Sequence, residues 1–352
     1  MYIKIDATIL AKYLKNTAYI VSKFKEESSL ACVHLKTKED GLVLILNGDT
    51  DKAIITLPCS IVEQGECYVT ANKFIGLVQS FTGEIELIQI DKGLSIKQDK
   101  IKINLPLIKD CPLDTSFTKM QFDNEFTLDG DVLDSMVGVV TPFVDKISKT
   151  ILGGVNLQLK NGAIKARTCH NAAMAMSAFK CRAEEDHSFE ATLKVETLQA
   201  ISKIFAEDEI TISSNESVIR FASEDCMIYT RTLSGKYPPI ESAIEKEEAC
   251  DLTINSQVLD KCLRRILIVK TLDKRINLQV KEDKVIVSYG KLLTEELPIE
   301  KSGEDINLAV NYEYLLDVLR VMNGAKTQIK ITPAKKLKFV DKNNIVIVCP
   351  LC

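Results

Sequence analysis

Apolar residues along this chain fall first at helical spacing and then at every second position, and that change of period returns six times. The helical openings read Asp6-Ala7-Thr8-Ile9-Leu10, Ala71-Asn72-Lys73-Phe74-Ile75, Asp129-Gly130-Asp131-Val132-Leu133, Val195-Glu196-Thr197-Leu198, Asn255-Ser256-Gln257-Val258-Leu259 and Asn311-Tyr312-Glu313-Tyr314-Leu315. In the last unit Tyr314, Leu315, Val318, Leu319 and Met322 share one helix face, and Asn323-Gly324 predicts the stop. Strands are predicted next at 328–332, 337–340 and 345–348. Two earlier units follow the same script. One has a helix over 73–81 and strands at 84–90, 94–96 and 101–103; the other has a helix over 198–205 and strands at 209–212, 218–221 and 227–230. The remaining three units carry a longer link after the helix, then strands around turns such as Lys160-Asn161-Gly162 and Lys281-Glu282-Asp283.

The interval of roughly 60 residues is too long for a solenoid unit and about half a compact domain. Six such halves predict three similar domains in tandem, with boundaries at 1–121, 122–247 and 248–352 and polar seams at 121–125 and 245–250. Each domain reads helix, strands, helix, strands, so the expected class is α+β, two helices packed on antiparallel sheets. Such a repeat suits a curved frame better than one catalytic cleft.

Composition narrows the function. Of 352 residues, 46% are hydrophobic and 27% charged, ordinary values for a chain with real cores. The 45 Lys and Arg against 49 Asp and Glu give a net charge of −4, which excludes a uniformly basic surface but leaves room for a local basic lining. Apolar runs such as 42–46 are too short for a bilayer, and the opening Met1-Tyr2-Ile3-Lys4-Ile5-Asp6 has no signal core, so a cytoplasmic protein without membrane association is expected. The 11 cysteines are scattered and odd in number; reduced thiols serving as small hydrophobes are the expectation.

Catalytic chemistry finds little footing. The histidines are His34, His170 and His187, and no nucleophile signature surrounds the Cys169-His170 pair. Cys349-x-x-Cys352 is half a zinc site at a chain end. No glycine-rich phosphate loop is present. No enzymatic activity, metal or cofactor is expected.

Three motifs carry a family resemblance. Arg231-Thr232-Leu233-Ser234-Gly235-Lys236-Tyr237-Pro238 resembles the Leu-x-Gly-Arg/Lys-Phe/Tyr-Pro strand and turn of the bacterial DNA polymerase III β-subunit family, the sliding clamps. Asn311 to Leu319 is similar to that family's Asn-x-x-Tyr-Leu-Leu-Asp-Val-Leu helix, and Ile347-Val348-Cys349-Pro350-Leu351-Cys352 to its Val-x-Met-Pro-Met-Arg ending. The resemblance runs end to end. It implies a head-to-tail homodimeric ring with helices lining the hole. Such a ring encircles duplex DNA without regard to sequence, tethers polymerase and clamp-loader subunits through short peptides, and needs a separate loading ATPase. An adaptor that keeps the fold without ring loading is the alternative.

The resemblance also implies sites. DNA would be met by Lys12, Lys15, Lys25, Lys73, Lys146, Lys203, Lys261, Arg264, Arg265 and Arg320, diffuse phosphate contacts on mobile side chains. Asp131 and Asp134 make the third helix acidic. A partner-peptide pocket would be formed by Leu152, Thr168, Asn171, Ala172, Ala173, Pro238, Ser242, Ala243, Tyr314, Ile347, Cys349, Pro350 and Leu351. Ring closure would join Lys97, Lys100 and Lys102, taken to lie on a late strand of the first domain, to Leu267, Ile268, Glu295 and Glu296 of the third. The family's Thr-Asp-x-x-Arg-Leu-Ala run stands here as Thr168-Cys169-His170-Asn171-Ala172-Ala173-Met174, and a family Arg is replaced by Ser242, so a smaller, less cationic pocket is expected.

Overall fold

The computed structural model describes every residue except 22–27, 40, 110, 112–115, 185–186, 216, 245–246, 323 and 352. The first repeat runs β1 (Tyr2–Asp6), α1 (Ala7–Thr17), β2 (Cys32–Lys38), β3 (Gly41–Asn47), β4 (Asp51–Leu57), β5 (Ser60–Glu63), β6 (Glu66–Thr70), α2 (Ala71–Val78), β7 (Glu84–Ile90), β8 (Gly93–Gln98) and β9 (Ile101–Pro106). The second runs β10 (Asn124–Asp129), α3 (Gly130–Val140), β11 (Gly154–Lys160), β12 (Ala163–His170), β13 (Ala173–Lys180), β14 (Arg182–Ala183), β15 (Phe189–Lys194), α4 (Val195–Ile204), β16 (Glu209–Ser214), β17 (Val218–Ala222) and β18 (Cys226–Arg231). The third runs β19 (Cys250–Asn255), α5 (Ser256–Val269), β20 (Arg275–Val280), β21 (Lys284–Tyr289), β22 (Leu293–Gly303), β23 (Ile306–Asn311), α6 (Tyr312–Val321), β24 (Lys326–Ile331), β25 (Leu337–Val340) and β26 (Asn344–Val348).

Local chemistry accounts for the element starts. Asp6 caps α1 by accepting from the Thr8 and Ile9 N–H groups, and these bonds hold its carboxyl below the usual range. Asn255 and Asn311 cap α5 and α6 in the same way. Asn161 and Gly162, both with positive φ, make the tight turn between β12 and its partner β11. The helices bury one stripe each: Leu10 and Leu14, Phe74 and Val78, Leu133 and Val137, Leu198 and Ile201, Leu259 and Ile266, Leu315 and Val318. Along the layer α2 packs on α1, α1 on α4 and α4 on α3, while α5 packs on α6.

All ladders pair antiparallel, in sheets ordered β5-β1-β7-β8-β9, β14-β10-β16-β17-β18-β4-β3-β2-β6 and β15-β11-β12-β13-β26-β25-β24-β19-β22-β21-β20-β23. The two longer sheets cross repeat boundaries. The last strand of the second repeat, β18, pairs with β4 of the first, and the last strand of the third, β26, pairs with β13 of the second. Backbone hydrogen bonds therefore join the repeats.

A buried carboxylate reinforces the first junction. Asp51, only 4% exposed, accepts from Thr230 at 2.6 Å and from Thr197 at 3.2 Å. Thr230 stands opposite it in the β4–β18 ladder. Asp51→Ala orphans both hydroxyls, each unsatisfied buried group costing about 1–3 kcal/mol, so urea unfolding should register a loss of about 2–4 kcal/mol. Asp51→Asn, which keeps an acceptor, should lose less.

The expectation of uniformly reduced cysteines is corrected: Cys32 and Cys111 are joined by a disulfide. The reason is topological. After β9 the chain turns back along β6, with Leu107 bridging Val69 and the Ile108 N–H donating to Tyr68 O. Since β6 pairs with β2, this carries Cys111 to Cys32 across 79 residues of sequence. The buried thiols Cys67 and Cys262 are each pushed up to about 12 by desolvation.

Candidate functional site

Three segments converge on the β12–β13 hairpin. The first is the loop 232–243 after β18, which crosses the outer face of β12: Arg167 Nη1 donates to Glu241 Oε1 at 2.9 Å and Oε2 at 3.1 Å, and Tyr237 lies beside Cys169. The second is the C-terminal tail, whose β26 lies along β13 with Ile347 opposite Met174. Beyond it the Cys349 N–H donates to Ala172 O at 2.8 Å and the Leu351 N–H to Ala309 O at 2.7 Å. The third is α6, which sets the Tyr314 ring 5.2 Å from the His170 ring.

Alternation along β12 separates Cys169 from His170. Neighbouring strand residues point to opposite faces, so the thiol sits against Tyr237 and the imidazole against Tyr314. His170 Nδ1 accepts from the Ala172 N–H at 3.1 Å. Burial lowers the imidazole's pKa, opposed by the Asp145 charge, and burial raises the Cys169 thiol. These are not the settings of a thiolate–imidazole couple.

Each expected pocket residue can be placed around this convergence. Around the hairpin Thr168, Ala173 and Ile347 are buried, but on two faces: Thr168 and Ala173 share the face toward α3, where the Thr168 hydroxyl donates to Val140 O at 2.9 Å, while Ile347, opposite Met174, shares the other face with Cys169. Leu152, Ala172, Pro238, Tyr314, Cys349, Pro350 and Leu351 are half-buried around the same hairpin, while Asn171 and Ser242 are exposed. Leu152 lies on the short 3-10 turn Ile151–Gly153 and Ala243 ends the turn Ile240–Ala243. The sequence reading passed over Arg167, Tyr237 and Glu241. An arginine at an outward strand position, one residue before Thr168, was the available signal.

Two of the open sheet edges lie in the first and third repeats. β9 pairs with β8 alone, and the 293–298 half of β22 pairs with β21 alone, among the described residues. Near these edges stand Ile101, 50% exposed, Ile268 at 83% and Leu272 at 100%.

The third repeat matches the family model for the DNA polymerase III beta subunit, C-terminal domain, over residues 241–347. Beta sliding clamps are relatives across most of the chain. That of Bacillus subtilis is 23% identical over 300 residues, 81% of this chain and 78% of the relative. That of Halalkalibacterium halodurans is 22% identical, over 95% of this chain and 94% of the relative. The Bacillus subtilis clamp structure superposes with a TM-score of 0.89 at 18% identity, covering 100% of this chain and 99% of that one. A Pseudomonas aeruginosa clamp bound to griselimycin gives 0.92 at 17%, with coverage of 100% and 99%. The chain is thus similar to DNA polymerase III beta subunits over nearly its whole length, with the fold of those clamps.

The expected cations of the helix layer fall into two groups. Lys15, Lys73, Lys146 and Lys261 are exposed. Others are already ion-paired: Lys12 with Glu207 and Lys203 with Asp134, both at 2.7 Å, Arg264 with Asp260 at 2.6 Å, and Arg320 with Asp317 at 2.8 Å. Arg265 is held by Glu295. Asp134 thus ties α4 to α3, and Glu207 ties α1 to the turn after α4. Lys25 lies outside the described residues.

The expected ring-closure residues need one correction. Lys97, Lys100 and Lys102 do not share a strand: Lys97 is on β8, Lys102 is opposite it on β9, and Lys100 is in the intervening turn, where Asp99 takes a positive φ. Glu295 is paired with Arg265, and Glu296 with Lys284 at 2.7 Å, so neither carboxylate is uncommitted. Leu267 is half-buried and Ile268 is open. The fully exposed Leu272 was not singled out by sequence, although it follows a helix end rich in apolar residues.

Proposed function

We propose that this protein is a sliding clamp: two copies close head to tail around duplex DNA and tether a polymerase for processive synthesis. The observation that carries the reading is the rule governing the sheet junctions. At both internal junctions the last strand of one repeat pairs with the third long strand of the repeat before it, β18 with β4 and β26 with β13. Applying that rule to the strands left over pairs β9 of one copy with β22 of another, and two such contacts close a heterologous ring. Divisions at 121/122 and 247/248 complete the proposal, giving three domains whose helices form a continuous inner layer.

The layer's exposed cations supply sequence-independent attraction to phosphates. The convergence at β12–β13 supplies apolar surface with a few polar groups, which suits an extended peptide of a polymerase or loader subunit. The likeness to beta sliding clamps supports a non-catalytic processivity factor. No described helix is long and apolar enough to cross a membrane.

Loading onto nicked circular DNA tests the reading. The protein should remain bound through gel filtration at moderate salt and be released when the circle is cut. Equal retention on circular and linear DNA would favour an adaptor without topological linkage.

A further inference from the structure

We propose that Arg167 is the positioning residue of the peptide groove: buried between two carboxylates, it straps the 232–243 loop to the outer face of the second repeat and so holds Pro238 and Ser242 at the groove wall. This rests on the peptide groove proposed above and names what organises it.

Arg167 is 3% exposed, unusual for a guanidinium on the outer face of a sheet. Its donors divide into two arms. One stays within the sheet: Nε donates to Asn156 Oδ1 at 3.0 Å, and Nη2 to Glu190 Oε1 at 2.9 Å. The other leaves it: Nη1 reaches both oxygens of Glu241, which stands on the turn Ile240–Ala243 immediately before Ser242. Tyr237, 4% exposed, lies under the same guanidinium, its ring centroid 5.9 Å away.

The in-sheet arm alone would satisfy most of the charge, so the outward arm needs its own account. The loop begins with the Leu233 N–H donating to Thr192 O at 2.7 Å. At its far end the Arg167–Glu241 pair is the principal tie, with Lys165 contributing at 3.5 Å. Between these anchors lies Pro238; just past the second lies Ser242. A groove wall made of a loop is present only while the loop is docked, and a binding site that is competent for a fraction of the time loses affinity by that fraction. Arg167 thus acts on the peptide through Glu241, without touching it.

The two arms make the test selective. A probe hexapeptide is first selected from a randomised library on the wild-type chain, with the Pro350→Glu, Leu351→Asp variant as counter-selection. Glu241→Ala cuts the outward arm and leaves Arg167 paired with Glu190; it should weaken the probe roughly tenfold and speed amide exchange across 233–243. Glu190→Gln removes the charge of the inner arm while keeping an acceptor; it should lower thermal stability yet leave probe affinity within about twofold. Arg167→Met should show both effects, and if it fails to fold, the two glutamate variants still decide. Wild-type affinity in Glu241→Ala, or equal weakening in Glu190→Gln, would overturn the proposal while leaving the groove intact. Failure to select any probe overturns the groove itself.

Discussion

Ile268→Asp combined with Leu272→Asp is expected to turn the proposed dimer into a monomer at micromolar concentration. The two side chains are 83% and 100% exposed beside the open half of β22, where a second copy is proposed to add β9. Burying a side chain of this size contributes about 1.5–3 kcal/mol, and a carboxylate in its place adds a desolvation cost. Because a head-to-tail ring of two contains this contact twice, even one substitution removes about 3–6 kcal/mol, roughly a factor of 10²–10⁴ in dissociation constant. The helix end they flank is exposed in the single chain, so folding should be untouched. Light scattering with circular dichroism as the control decides it; an unchanged dimer would place the interface elsewhere.

Charge introduced in the tail should have the opposite profile. In Pro350→Glu, Leu351→Asp, peptide capture is expected to vanish while the dimer persists. Both residues are half-buried beside the β12–β13 convergence, with the Leu351 N–H tied to Ala309 O. Two carboxylates there meet the apolar side chain of Ile347, 1% exposed, which offers them no donor. An unpaired buried charge costs several kcal/mol, enough for a loss of at least about 10³ in affinity. Titration with a labelled polymerase tail measures it. Binding at wild-type strength would move the peptide site away from this tail.

What could be read from the chain was whatever local chemistry decides. Asp6, Asn255 and Asn311 announced helix starts because a short polar side chain caps the N–H groups two or three residues on. Asn161-Gly162 announced a turn because its backbone needs positive φ. The pairing of β18 with β4 was not legible, since a half-buried strand reads the same whichever neighbour completes its ladder. Nor was the Cys32–Cys111 bond, which depends on where the chain goes after β9. Arg167 stayed hidden for a related reason: its worth depends on Glu190 and Glu241, brought to it from 23 and 74 residues away. Lys97 was misplaced although strands were expected separately at 94–96 and 101–103: it extends the first of them, β8, and stands opposite Lys102 across the turn at Asp99.

The carboxylates already engaged with Lys12, Lys203, Arg264 and Arg320 change how such a lining would treat a polyanion. A passing phosphate must outbid a resident acid at each of these stations, and the lysine swings back as soon as it leaves. The track is thereby levelled: no register along the double helix is held much more firmly than the next. In the proposed ring friction would stay low, and closure of the hoop would govern residence time.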